Sequence, residues 1–280
     1  MGNIIIRDKT EFQRKLAAIK KDGLSELHVV SDFDRTLTKA FIAGKKVISS
    51  YSLLRESGYL DPELLEKDQA LFNKYYPMES DIFLSEEEKY QAMAEWWAKH
   101  YQLFVEYGFN KNILLKLSDD YKNILRDSTL DLFEILAKTN LPLLIFSAGM
   151  GDIIKLFLER NNLLTSNIHL ISNFLKYDNS GKAIGYNSKL IHVLNKNEIE
   201  IKDKGYYKEI AGRKNVILLG DNLGDLGMTA GIKHEVVFTV GFLNEREEEL
   251  LEKFKDSFDV VILGDGSMDY VNGLLKNILF

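Results

Sequence analysis

The sequence predicts an α/β protein in which helices cover both faces of a doubly wound, mostly parallel β-sheet. Short apolar runs recur along the 280-residue chain, and most are followed by a stretch with helical spacing. Each run is apolar at nearly every position, which indicates a strand buried on both faces, as in parallel sheets. Such strand–helix alternation is typical of doubly wound folds.

Six runs are predicted to form the strands of this sheet. In chain order they are Leu27–Ser31, Leu141–Ser147, Ile168–Ile171, Asn215–Gly220, Glu235–Val240 and Asp259–Leu263. Helical spacing predicts helices at Asp152–Asn161 and Asn244–Lys255.

Residues 41–127 interrupt the alternation, because they are almost all helical in pattern and rich in aromatic side chains. Ser85 and Glu88 form a capping-box pattern ahead of a helix that is predicted to reach about Tyr107. We interpret this stretch as a helical cap over the carboxyl edge of the sheet, where open α/β folds bind ligands. Residues 1–40 and 128–280 are then the catalytic core.

Composition excludes several classes of function. The net charge of −6 gives the protein no overall attraction for nucleic acid or for an anionic membrane. The absence of cysteine excludes disulfides, thiolate metal sites and a cysteine nucleophile. No run approaches the roughly 18 apolar residues of a membrane helix, and the N-terminus lacks a signal-peptide core. We therefore expect a cytoplasmic monomer whose partners are small molecules.

Two carboxylates directly follow the first predicted strand, in Ser31-Asp32-Phe33-Asp34. Side chains two residues apart leave a strand on the same side, so Asp32 and Asp34 are expected to face one small volume. The two negative charges repel each other unless a cation is near. Such a pair can supply a nucleophile or metal ligand together with a proton donor. Asp is also common in turns and at helix N-caps, so the pair alone leaves a structural role open.

Two further motifs follow other predicted strands. Asp221 and Asp225 come after Asn215–Gly220, and their carboxylates could converge on the first pair to form the hard oxygen site that Mg²⁺ prefers. Ser147 and Ala148 open a small-residue turn whose N–H and O–H groups could bind a phosphate. Taken singly, each could equally be a turn with no chemical role.

In this order on buried strands, the motifs resemble the haloacid dehalogenase superfamily of phosphatases, and within it the cytosolic pyrimidine (type III) 5′-nucleotidases, which include enzymes acting on 7-methylguanosine monophosphate. The resemblance spans essentially the whole chain and implies a Rossmann-like core with an inserted all-helical cap. The matching segments are DFDRTLT at 32–38, EEKYQAMAEWW at 87–97, FSAGMGD at 146–152, ISNF at 171–174, LIHVLNKN at 190–197, ILLGDNLGDLGM at 217–228 and GFLNEREEELLEKF at 241–254.

The resemblance implies a Mg²⁺-dependent hydrolysis of nucleoside 5′-monophosphates, either pyrimidine nucleotides such as CMP and UMP or 7-methyl-GMP. Asp32 would be the nucleophile that forms an aspartyl-phosphate, and Asp34 would be the acid and then the base. Mg²⁺ would be held by Asp32, the backbone carbonyl of Asp34 and Asp221, with Asp225 in a supporting position. We expect all four acidic side chains to meet around this one ion.

The same resemblance implies the substrate contacts. Ser147, the N–H of Ala148 and Lys196 would hold the phosphate; Lys196 is singled out by the resemblance alone, since a lysine in so polar a stretch is usually solvated. In the cap, Glu79 would recognise the base, Trp97 would stack on it, and His100 would lie near the nucleoside where the family often has serine. Arg35 replaces a frequent methionine and is expected to be solvated, without a role.

Two other functions remain open from the sequence. The same fold could hydrolyse a non-nucleotide phosphomonoester such as phosphoserine or a sugar phosphate, in which case Glu79 and Trp97 would matter little. The chain could also be a binding module that has lost catalysis, although both Asp32 and Asp34 are present.

Overall fold

The computed structural model describes residues 3–47, 49–79, 81, 83–120, 124–187, 189–196 and 205–279. Its strands are β1 (Ile4–Ile6), β2 (Leu27–Ser31), β3 (Phe41–Ile42), β4 (Lys45–Lys46), β5 (Leu143–Met150), β6 (Ile168–Asn173), β7 (Leu175–Tyr177), β8 (Ala183–Tyr186), β9 (Asn215–Gly220), β10 (Val236–Leu243) and β11 (Val260–Leu263). Its helices are α1 (Lys9–Asp22), α2 (Ser50–Glu56), α3 (Pro62–Glu79), α4 (Glu86–Glu106), α5 (Asn112–Asp120), α6 (Thr129–Thr139), α7 (Gly151–Arg160), α8 (Gly205–Ile210), α9 (Glu247–Ser257) and α10 (Asp269–Leu279).

A seven-stranded sheet organises the molecule, in the order β1-β11-β10-β9-β2-β5-β6. Six neighbouring strands are parallel, and only β1 at the edge runs antiparallel to its neighbour β11. The central strand β2 pairs with β5 on one side and with β9 on the other. The carboxyl ends of these three strands therefore meet at the point where open α/β sheets bind ligands.

Both faces of the sheet are covered, which explains the continuous apolar runs. On β2, Val29 belongs to the hydrophobic cluster that contains α1, α6, α7 and α10, whereas Val30 belongs to the opposite cluster with α8 and α9. Successive strand side chains point to opposite faces, so a strand between two helical layers must be apolar at every position.

Helices α2 to α5 follow β2 and pack on the same cluster as α1, through residues such as Leu54 and Phe104. The capping box predicted for α4 is present, since Glu88 N–H donates to Ser85 Oγ and Ser85 N–H donates to Glu88. The helical prediction for residues 41–127 omitted the short β3–β4 hairpin. The assignment of this stretch as a separate cap stays a prediction.

All six predicted strands form in the sheet, with ends that move by up to three residues. The two helices predicted after them form as α7 and α9. The strand β1 and the β3–β4 and β7–β8 hairpins were not predicted, because their strands are only two to four residues long; even the apolar run Ile4–Ile6 is just three residues. No described helix has the length and apolarity needed to cross a bilayer. Asn197, the last residue of the motif at 190–197, lies outside the described residues.

Candidate active site

The first predicted carboxylate, Asp32, directly follows β2 and is buried, with 6% of its surface exposed. Its backbone N–H donates to Leu219 O of β9 at 3.0 Å, so the strand pairing continues into the motif. Ser31 Oγ donates to Asp32 O at 2.7 Å. The position of the predicted nucleophile is thus fixed by the two central strands.

Asp225 is turned back towards the sheet by a tight turn after β9. Its Oδ2 accepts the N–H groups of Asp221 at 3.1 Å and Asn222 at 3.0 Å. A Cβ at Gly220 would lie 2.6 Å from the Cβ of Asp225, so only glycine allows this close approach. The close packing of Asp225 against position 220 therefore explains why the motif has a glycine there.

Lys196 lies between the two acidic motifs. Its ammonium is hydrogen-bonded to Asp32 Oδ1, and to Asp225 Oδ1 at 2.9 Å. Burial disfavours the charged amine, but the carboxylates of Asp225 and Asp32 outweigh it and raise the pKa of Lys196. The side chain that the family resemblance singled out is therefore a buried cation in the acidic cluster, and the expectation from its polar surroundings, a solvated lysine, is wrong.

Three of the four predicted acidic side chains come together. Asp32, Asp221 and Asp225 each place a carboxylate oxygen within 4.8 Å of the others, a donor set that fits a hard divalent cation such as Mg²⁺. Burial raises the pKa of Asp32, and it raises the pKa of Asp221 to about 7, so ionisation of both is costly without further positive charge. A bound cation would supply that charge.

Asp34 does not bring its carboxylate into this group, which corrects the expectation that four acidic side chains meet. Its Oδ1 accepts the N–H of Ser50 at 2.6 Å, and its Oδ2 accepts the Ser50 hydroxyl at 3.1 Å. Burial raises the pKa of Asp34 to about 6, although the two bonds from Ser50 act in the opposite direction. A carboxyl group that titrates near neutrality suits a proton donor better than a metal ligand.

The small residues predicted as a turn, Ser147 to Gly149, instead form the carboxyl end of β5, where its pairing with β6 shifts register, and they lie beside Asp34. Gly149 N–H donates to Ser147 Oγ at 3.0 Å, and a Cβ at Gly149 would lie 2.9 Å from Asp34 Oδ2. The carbonyl of Ala148 accepts bonds from Trp97 Nε1 and from Asn173 Nδ2, both at 2.9 Å. This end of β5 is therefore held in one orientation next to the carboxylate of Asp34.

Arg35 is not a solvated side chain, which corrects the sequence-based expectation. Its side chain is 12% exposed, Nε lies 3.1 Å from Asp221 Oδ2, and the terminal nitrogen Nη2 lies 2.7 Å from Glu245 Oε1. Nη1 donates to Val47 O at 3.3 Å. One feature of the sequence could have indicated these contacts: position 35, inside the first acidic motif, has a charged residue where the family often has methionine.

All the predicted site residues line one cavity of 340 Å³. They are Asp32, Asp34, Glu79, Trp97, His100, Ser147, Ala148, Lys196, Asp221 and Asp225. The cavity is thus lined both by the ends of the central strands and by helices α3 and α4. Their catalytic and binding roles stay predictions.

The predicted base-recognition residues line the cavity from helices α3 and α4. Glu79 is partly buried, and burial, with the nearby charge of Asp225, raises its pKa to about 7. The Trp97 ring lies 4.9 Å from that of Trp96 at 75°. His100 Nδ1 lies 2.7 Å from the buried carboxylate of Asp68, a partner that the sequence did not reveal. Asp68 sits inside an ordinary helical pattern, where a single acidic residue carries no signal.

Comparison with known proteins gives one consistent answer. The family described as pyrimidine 5′-nucleotidase (UMPH-1) matches residues 35–279. The 7-methylguanosine phosphate-specific 5′-nucleotidase A of Xenopus laevis is 38% identical and covers 97% of this chain and 94% of its own length.

Solved structures agree on the fold. The crystal structure of cytosolic 5′-nucleotidase IIIB bound to cytidine superimposes with a TM-score of 0.92 at 32% identity, covering 99% of this chain and 94% of that one. A phosphoserine phosphohydrolase-like protein from Francisella tularensis has a TM-score of 0.55 at 17% identity, covering 88% and 98%. The predicted α/β fold, a mostly parallel sheet with helices, is confirmed and is shared with phosphatase structures, and the helical content between β2 and β5 is consistent with a cap insertion.

Proposed function

Because the chain belongs to the pyrimidine 5′-nucleotidase (UMPH-1) family, we propose that it is a Mg²⁺-dependent 5′-nucleotidase that converts nucleoside 5′-monophosphates to nucleoside and phosphate. The observation that carries this proposal is the buried group of Asp32, Asp221 and Asp225 with Lys196 at the ends of neighbouring strands. A nematode relative named as a cytosolic 5′-nucleotidase supports a cytoplasmic location. The partner is a small nucleotide, and we propose that the enzyme acts as a monomer.

Asp32 acts as the nucleophile. One of its carboxylate oxygens forms a bond to phosphorus while the bond from phosphorus to the ribose O5′ breaks. The ammonium of Lys196, bonded to Asp32, favours the ionised carboxylate and so opposes the rise in pKa that burial causes. Water then attacks the phosphorus of the aspartyl-phosphate, which releases phosphate and restores Asp32.

Asp34 moves the proton in both steps. Protonated Asp34 gives its proton to O5′ as the leaving group departs, and the resulting carboxylate then takes a proton from the attacking water. The bonds from Ser50 fix the carboxyl group in place beside the phosphate turn. A pKa of about 6 allows both protonation states near neutral pH.

The charge of the phosphate is balanced by groups with fixed positions. Ser147 Oγ, the Ala148 N–H and Lys196 hold its oxygens. Asp32, the backbone carbonyl of Asp34 and Asp221 would hold Mg²⁺, which would supply most of the positive charge that phosphoryl transfer requires. Asp225 is held by the ammonium of Lys196 and by the backbone N–H of Asp221, and it therefore helps to position both residues.

For the base, we propose a preference for the cationic 7-methylguanine ring over neutral guanine, with cytosine also accepted. Glu79 places a carboxylate in a cavity that Trp96 and Trp97 also line, and aromatic faces attract cations. Phe72 is a poorer platform, because Tyr76 stacks on it at 4.7 Å and the Arg55 guanidinium lies over it at 4.8 Å. The names of two similar proteins, one specific for 7-methylguanosine phosphate and one bound to cytidine, support the same range.

The test is phosphate release from CMP, UMP, 7-methyl-GMP, AMP and GMP, with Mg²⁺ and with EDTA. We expect Mg²⁺-dependent release from 7-methyl-GMP and CMP above GMP and AMP, and none from an Asp32→Asn control. Absence of metal-dependent release from every nucleotide would refute the proposal. Tight nucleotide binding without turnover would instead indicate a module that has lost catalysis.

The alternative function, hydrolysis of a non-nucleotide phosphomonoester, is less well supported. The phosphoserine phosphohydrolase-like neighbour shares the fold alone, at 17% identity. If a non-nucleotide phosphomonoester were the substrate, Glu79→Ala and Trp97→Ala would leave its turnover nearly unchanged, so phosphoserine and sugar phosphates belong in the same assay.

A further inference from the structure

The cationic side chain of Arg35 links its own segment to three others around the acidic cluster. Its guanidinium contacts the carboxylates of Asp221 and Glu245 and the carbonyl of Val47, at the distances given above. Its backbone has φ of 62°, in the left-handed region that non-glycine residues rarely adopt. Backbone strain of this kind persists where surrounding contacts enforce it, and it is frequent at functional sites.

The enforcing contacts are strong ones. The Arg35 carbonyl accepts bonds from the buried guanidinium of Arg126 and, at 3.0 Å, from Asn244 Nδ2, while its N–H donates to Thr38 Oγ1 at 2.7 Å. The side chain therefore emerges in a fixed direction, towards Asp221. This arrangement differs from a surface ion pair, whose partners are both solvated.

We propose that Arg35 is a positioning residue that weakens divalent-cation binding at Asp221 and that stabilises the acidic cluster when no metal is bound. The inference rests on the proposed Mg²⁺ site, since it concerns the same carboxylate. Arg35 holds Oδ2 of Asp221, so a cation must share that carboxylate with the guanidinium.

Elementary electrostatics gives the direction of the effect. A unit charge about 6 Å from a divalent ion weakens its binding by about ten-fold at the dielectric constant of water, and by more in a buried site. In the metal-free protein the same charge offsets the repulsion among Asp32, Asp221 and Asp225, which Lys196 alone leaves incompletely balanced. Arg35 thus makes the fold less dependent on bound metal, and it lowers the affinity of the site for Mg²⁺.

The test compares Mg²⁺ affinity, measured by calorimetry without substrate, and the Tm in EDTA. We expect Arg35→Met to bind Mg²⁺ at least about ten-fold more tightly, to have a lower Tm in EDTA, and to gain more Tm from saturating Mg²⁺ than the wild type. Arg35→Lys keeps the charge and should stay close to the wild type. Lys46→Met is the matched control, because Lys46 contacts Glu245 but not Asp221, and it should leave Mg²⁺ affinity within about two-fold.

An unchanged or weaker Mg²⁺ affinity in Arg35→Met would overturn the inference, because it would mean that Arg35 helps to orient Asp221 instead of competing for it. If Arg35→Met does not fold without metal, Arg35→Gln, which keeps a neutral donor, is measured by the same criteria. Failure of the wild type itself to bind Mg²⁺ would refute the proposed function and this inference together. Normal binding by the wild type with no effect of Arg35 would refute only the inference.

Discussion

The indole N–H of Trp97 donates a hydrogen bond to the carbonyl oxygen of Ala148 at 2.9 Å. This bond joins α4 to the carboxyl end of β5. The peptide between Ala148 and Gly149 is thereby fixed at both ends, because the Gly149 N–H donates to Ser147 Oγ. A residue predicted to stack on the base thus also contacts the segment predicted to hold the phosphate, so these two predicted roles would depend on one side chain.

Trp97→Phe should separate these two contributions. Phenylalanine keeps an aromatic face but removes the donor to Ala148, whose carbonyl then depends on Asn173 alone. Loss of one such hydrogen bond costs about 0.5–1.5 kcal/mol, so we expect kcat/KM for 7-methyl-GMP to fall by about two- to ten-fold. Steady-state kinetics checks this. Tyr90→Phe on the same helix is the control, and an effect of Trp97→Phe no larger than that of Tyr90→Phe would contradict the expectation.

Lys196→Met should damage both stability and turnover. The substitution leaves the buried carboxylates of Asp32 and Asp225 without their shared cation, and removing one partner of a buried ion pair typically costs about 3–5 kcal/mol. We expect a lower Tm in EDTA, partly restored by Mg²⁺, and kcat reduced by at least about 10²-fold. Thermal unfolding and nucleotide turnover measure the two effects.

Lys99→Met is the matched control for that substitution, because Lys99 pairs with Glu95 at the surface. Surface ion pairs contribute about 0–1 kcal/mol, so its Tm should hardly change. Equal losses of stability in the two variants would show that the buried pairing of Lys196 has no special weight.

The strands and the acidic motifs could be predicted because their causes are local. A strand between two helical layers must be apolar throughout, and Asp221 and Asp225 follow directly from the end of β9. The directions of long or polar side chains could not be predicted, since they depend on distant partners. Arg35 is held by Glu245, 210 positions away, and Asp34 turns to Ser50 rather than to the other carboxylates.

The pH dependence should differ between charged and neutral bases, because burial raises the pKa of Glu79 to about 7. Below that pH the carboxyl group is protonated and no longer attracts a cationic ring; above it the carboxylate does. We therefore expect KM for 7-methyl-GMP to rise as the pH falls from 8 to 6, relative to KM for CMP. Glu79→Gln should remove this difference and reduce the selectivity for 7-methyl-GMP over GMP. A ratio of the two KM values that does not change with pH in the wild type would contradict this role.

Ser50→Ala should move the pH profile of the reaction, since Ser50 controls the proton donor. Burial raises the pKa of Asp34 to about 6, and the bonds from Ser50 oppose that rise because they favour the carboxylate. Removing the hydroxyl leaves only the backbone bond, so the pKa should rise further. Protonated Asp34 then persists to higher pH, and the alkaline limb of kcat/KM should move upward by about 0.5 to 1 in pH. Ser52→Ala, whose hydroxyl bonds Ser49 O and not Asp34, is the control and should keep the wild-type profile. If Ser50→Ala moved only the acid limb to higher pH and left the alkaline limb in place, Asp34 would act only as a carboxylate, and the assignment of the proton donor would be wrong.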